Sequence, residues 1–124
     1  MNKILILGFH TINSILLICY LYPGSLSGYF LYNDISMQPQ ITKDFLISSN
    51  HFYSFIILSI LGILAYNKTN KINFLIKYLI MISIFLEIFH IIIPNRSFEL
   101  SDLFGNLLGT ILVIIFYKII NRYA

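Results

Sequence analysis

The chain has no tryptophan, one cysteine, three prolines and only 10% charged residues among its 124 positions. Soluble domains carry about 25% charged residues, so a water-soluble globule is excluded on that count alone. A single cysteine, Cys19, forbids an intramolecular disulfide scaffold. Six glycines without a repeat exclude a collagen-like chain. What is abundant is apolar: 58% hydrophobic residues, 16% aromatic residues and a mean hydropathy of +0.84. Such a chain cannot be intrinsically disordered, because it has more than enough apolar surface to bury. The reading is an all-α integral membrane bundle in a single domain, residues 1–124.

Crossing about 30 Å of hydrocarbon as a helix takes roughly 20 residues. Four runs qualify: residues 4–22, 49–66, 74–93 and 103–120. Lys3 ahead of the first run resembles a signal-peptide start, but no small-residue cleavage site follows, so a retained helix is expected. Of the eight basic residues, Lys3, Lys68, Lys71, Lys77, Lys118 and Arg122 fall on one side of the four crossings and Lys43 and Arg96 on the other. Positive charge stays in the cytoplasm, so both termini are expected there. The pI near 9.0 does not point to nucleic acid, because the basic residues sit in small groups beside apolar runs and not along one polar face. Tyr20, Tyr22, Tyr66, Tyr117 and Tyr123 near the span ends read as interfacial anchors. The long segment from Pro23 to about Asn50 mixes aromatic with small residues and is expected to lie on the outer surface.

Ionisable groups inside a membrane are expensive and mark functional sites. Glu87 is the only acid expected well inside a span, roughly 20 Å above its cytoplasmic start at 1.5 Å per residue. His90 follows at i+3 on the same face. His51 on the second span and Asn106 on the fourth, four residues after Asp102, come out at nearly the same depth. Gly105 and Gly109 permit close helix approach, which would pack such a polar cluster away from lipid. The expectation is an outward-facing polar pocket of Glu87, His90, Arg96, Asp102, Asn106 and His51. In it, the planar donor fork of Arg96 meets an anionic group, with Asp102 and Glu99 orienting the guanidinium. His10, beside Asn13 in the first span, reads instead as an interhelical hydrogen-bonding residue. Phosphate loops, nucleophile elbows and H-E-x-x-H are absent, and the E-x-x-H spacing of Glu87 and His90 is not a dedicated zinc motif, so neither cofactor nor metal is expected.

The stretch Leu86 to Gly109, LEIFHIIIPNRSFELSDLFGNLLG, resembles the VanZ-like family. Glu87, Pro94, Arg96, Glu99, Asp102, Asn106 and Gly109 fall at the offsets of the family signature, with Pro94, Glu99 and Gly109 in supporting or packing roles. His90 stands where the family often has Gln, and His51-Phe52 is similar to the His-Phe that opens an earlier span. Ile47 and Ser48 replace the Asp-Lys usually found before it. The resemblance implies a four- or five-helix protein of the bacterial cytoplasmic membrane, associated with reduced teicoplanin sensitivity. The partners expected are the bilayer and an anionic envelope lipid or lipid-linked precursor, with no nucleic acid and with homo-oligomerisation left open. Two other classes stand beside binding: a membrane-embedded enzyme using Glu87 or His90 as acid or base on a lipid-linked phosphate, and a small proton-coupled transporter.

Overall fold

The computed structural model describes residues 2–123, and among them it holds helices and loops but no strand. Five helices follow in order: α1 Lys3–Leu21, α2 Leu26–Tyr32, α3 Ser49–Tyr66, α4 Ile72–Phe89 and α5 Leu100–Tyr123. All but α2 are long and apolar enough to cross a membrane.

The boundaries follow from capping and from proline. Asn2 accepts from the Ile4 amide at 3.1 Å and opens α1, while Pro23 and Gly24, the latter at φ +129°, end it. Ser25 caps α2 by accepting from Gly28, and Asn33 closes it in the left-handed conformation. The first turn of α3 is held from outside, since Asp44 accepts from the Ser49 amide at 2.8 Å. The span expected to run to residue 93 ends as helix at Phe89. Pro94 disfavours helical geometry in the residue before it. The chain tightens instead through three-residue bonds such as Ile91 N–H to the Ile88 carbonyl, then turns at Asn95 with φ +59°. The fourth span, by contrast, extends three residues beyond 103–120 at each end.

Helix α3 is the hub, packed against α1, α4 and α5. Its seam with α5 is the closest: a Cβ added at Gly105 would meet the Ser48 carbonyl at 2.8 Å, and one at Gly109 the Phe52 carbonyl at 2.6 Å. The core beneath is Phe55 and Leu58 of α3, Leu79 and Leu86 of α4, Val113 of α5, and Phe9 and Leu16 of α1. The opposite face of α1 turns Ile4, Leu7, Ile15 and Ile18 outward, which fits a helix facing lipid. The segment expected to lie on the surface folds into α2 and a strap of residues 33–48 over the end of the bundle where α1 stops and α3 starts.

Candidate functional site

The site lies at that end, built from the last turns of α1 and α4 and the first turns of α3 and α5. Glu87, in the last turn of α4, is fully buried. One of its carboxylate oxygens, Oε1, accepts from the Glu99 amide at 3.0 Å, just ahead of α5. A carboxylate from one helix thus serves the amide-rich start of the next, where negative charge is favoured. The other oxygen, Oε2, has no hydrogen-bond partner; it lies 3.2 Å from His90 Nδ1 and 3.9 Å from His51 Nδ1.

His51 is buried and lies between two acidic or amide partners on α5. Its Nε2 is 3.3 Å from Asp102 Oδ2, and its Nδ1 is 3.0 Å from Asn106 Oδ1. Tyr20, from α1, donates to the same Asn106 oxygen at 2.9 Å and lies 3.0 Å from His51 Nδ1. The Tyr20 ring stacks on His90 at 5.9 Å between centroids and meets His51 edge-on at 4.9 Å. His90 Nε2, in turn, reaches the Tyr20 carbonyl at 3.0 Å. Because α5 approaches α3 through glycines, Asp102 and Asn106, four residues apart on one face, can both reach His51.

Arg96 behaves differently from its expected role. Its Nε donates to the Tyr22 carbonyl at 3.1 Å and one terminal nitrogen to the Cys19 carbonyl at 2.6 Å, so it caps the end of α1. Among the described residues neither Asp102 nor Glu99 lies within ion-pair distance of it: Asp102 pairs with His51, and Glu99 with Ser97. The reason is geometric, because α1 ends with unsatisfied carbonyls and the loop carrying Arg96 passes directly over them. Partial burial lowers the guanidinium from its ordinary value.

Above these groups opens a cavity of about 390 Å³. Tyr20, His51, His90, Cys19 and Arg96 line one side; Leu26, Leu31, Gln38, Gln40 and Ile41, from α2 and the strap, line the other. Glu87, Asp102 and Asn106 do not line it but stand behind the two histidines. The structure thus brings Glu87, His90, His51, Asp102 and Asn106 into one contacting cluster and places Arg96 on the wall above. Pro94 and Gly109 act on the backbone, the one terminating α4 and the other admitting α3.

Sequence reasoning missed Tyr20. Expected as an interfacial anchor, it is buried at the centre of the cluster. Its spacing from Phe9 and Leu16, the other buried residues of α1, is the signal that would have found it, since positions 9, 16 and 20 share one helical face. Cys19 is half-buried at the cavity wall and not in the core.

A bundle of four membrane-length helices around a buried His–carboxylate cluster is the class of protein that the fold and site define. Within that class, residues 5–121 match the VanZ/LLP1 family model, so the chain belongs to the VanZ/LLP1 family. No curated protein and no solved structure matches it significantly.

Proposed function

We propose that this protein resides in a bacterial cytoplasmic membrane with both termini inside, and that its cavity takes the anionic head of an envelope lipid or lipid-linked precursor from the outer side. Occupancy of the cavity alters glycopeptide susceptibility, teicoplanin above all. The observation that carries the reading is Arg96. Two of its donors are spent on α1 carbonyls, which pins the guanidinium, and the remaining N–H groups are left for a ligand in the cavity. His51 and His90 form the floor with their rings, and Leu26, Leu31 and Ile41 offer an apolar wall to an acyl chain. The excess of basic residues at the opposite end of the bundle supports the orientation.

The test is a lipid inventory of protein purified in native bilayers, paired with overexpression in a glycopeptide-sensitive bacterium. The parent is expected to retain a specific phosphate-bearing lipid and to shift teicoplanin susceptibility; Arg96→Ala is expected to do neither. Equal behaviour of parent and variant removes the reading.

A second reading is favoured by one further observation: each histidine on the cavity floor is backed by a carboxylate, His51 by Asp102 and His90 by Glu87. That arrangement suits a general base acting on a lipid-linked phosphate once the second ring nitrogen is released from Asn106 or from the Tyr20 carbonyl, with the acid orienting the ring. Turnover of a lipid phosphate by purified protein, lost in His51→Asn and retained in Asp44→Asn, would establish it over simple binding.

A further inference from the structure

The hydrogen bonds around the two histidines define which nitrogen of each carries a proton. His90 Nε2 faces the Tyr20 carbonyl, which only accepts, so Nε2 is an N–H, and in the neutral ring Nδ1 holds the lone pair. His51 Nδ1 faces Asn106 Oδ1, which already accepts from Tyr20, so Nδ1 is the N–H and Nε2 holds the lone pair. Both lone pairs therefore point at carboxylates: Nδ1 of His90 at Glu87 and Nε2 of His51 at Asp102. With neutral rings, two electron-rich groups at 3.2 and 3.3 Å repel; protonation of the imidazoles or a cation between or beside the groups removes that repulsion.

No lysine or arginine among the described residues forms an ion pair with either carboxylate. The ion pairs of Glu87 and Asp102 involve histidines only, and the assigned bonds of Arg96 go to backbone carbonyls. Glu87 is fully buried and its Oε2 lacks a hydrogen bond. Buried carboxylates without a partner are rare, and coordination of a cation is one of the few ways to keep them ionised. His51, Glu87 and Asp102 each bring one ligand atom within 4.8 Å of the others. Metal–ligand bonds of about 2.0–2.2 Å would draw such a set around a common centre with side-chain movements of up to about 1 Å.

We propose that His51, Glu87 and Asp102 hold a divalent ion of the zinc class behind the cavity floor. One imidazole and two carboxylates neutralise a doubly charged cation and suit zinc in ligand type. Asn106 is the outer partner of the imidazole: by accepting from Nδ1–H it holds His51 in the tautomer that ligates through Nε2, as outer-shell acceptors do in metal sites generally. Tyr20 fixes Asn106 in turn. With three protein ligands the ion keeps a position for water or for a group reaching down from the cavity. Metal binding does not depend on the lipid reading, and the two are measured separately.

The experiment uses full-length protein in lipid nanodiscs, stripped with chelator, incubated with zinc chloride and desalted before elemental analysis. The expected result is about one zinc per folded chain, with loading that raises the unfolding temperature. Glu87→Gln and Asp102→Asn, which keep size and shape, are expected to lose the retained zinc. Asn106→Ala is expected to weaken affinity by on the order of 10- to 100-fold. Asp44→Asn, in the strap, is expected to bind as the parent does. Cobalt in place of zinc reads the site directly, since a protein site of low coordination number absorbs visible light far more strongly than the hexahydrated ion. Folded parent protein that retains no zinc, or carboxyl variants that retain as much as the parent, would overturn the proposal; the parent result decides alone if the variants misfold.

Discussion

Two polar clusters lie along α1, and they are built on different terms. At its middle, His10 Nε2 lies 3.0 Å from the Tyr66 hydroxyl, and Tyr78 donates to Asn13 at 2.8 Å. Neither pair includes a carboxylate, and His10 is exposed. Near its end, Tyr20 joins His51, Asn106, Glu87 and Asp102 in a network in which Glu87 and Asn106 are entirely hidden from solvent. The first is helix-to-helix glue between polar side chains. The second gathers ionisable groups around a fully buried carboxylate, and leaves Glu87 Oε2 and Asn106 Nδ2 without hydrogen bonds. Proteins tolerate that expense at sites of function more readily than at sites of packing.

The comparison breaks most sharply at Glu87. Glu87→Ala strips the Glu99 amide and two histidines of their acid, and is expected to destabilise by about 3 kcal/mol, as loss of one member of a buried ionic group does. Reversible unfolding in detergent micelles measures it, and a loss no larger than that of Tyr66→Phe would make the two clusters equivalent. Next comes the seam that assembles the buried cluster. Gly109→Leu drives a side chain into the Phe52 backbone and is expected to cost about 1–3 kcal/mol, separating α5 from α3. The companion readout is His51, whose ring resonances should lose the signature of a buried imidazole in the variant.

A matched pair of hydroxyl deletions sharpens the contrast. Tyr20→Phe leaves Asn106 and His51 short of a partner in the interior and is expected to cost about 1–2 kcal/mol. Tyr66→Phe removes one exposed interhelical bond, worth about 0.6 kcal/mol. A ratio near unity would mean that burial does not distinguish the clusters.

The smallest effect lies in the strap. Asp34 is held below its ordinary value of 3.8 by hydrogen bonds from the Ser36 hydroxyl and then the Ser36 amide, at 2.7 and 2.8 Å. A depressed carboxylate stabilises the fold above its unfolded value and loses that contribution as pH falls through the lower folded one. Hydrogen-exchange protection of the Ser36 amide should therefore hold near neutrality and fall once the pH drops below 3.8. In Asp34→Ala it should be low at every pH.

Several particulars were legible in advance because they are local. Glu87 and His90 at i+3, Asp102 and Asn106 at i+4, and the small residues Gly105 and Gly109 follow from helical spacing alone. Tyr20 was misread because tyrosine near a span end has two common uses, anchoring in the interface and hydrogen bonding inside, and residue type does not separate them. The partners of Arg96 were misassigned for a related reason: a guanidinium seeks the nearest acceptors, and those proved to be the carbonyls that end α1, more than 70 residues away in the chain. The fold of residues 23–48 into α2 and a strap was equally hidden, since a seven-residue helix carries little periodicity.

Composition and the lengths of the apolar runs determined by themselves that this chain forms membrane-length helices, because hydrocarbon admits backbone only when its hydrogen bonds are satisfied within each segment. They also determined which polar residues would be costly to bury. Only the tertiary structure decided their partners: that His51 would meet Asp102 and Asn106, that the carboxylate of Glu87 would serve the amide of Glu99, and that Tyr20 would bind them together. Those choices depend on how closely α3 and α5 approach and on where α1 ends, and contacts between helices are set by packing across distances that a linear pattern does not encode.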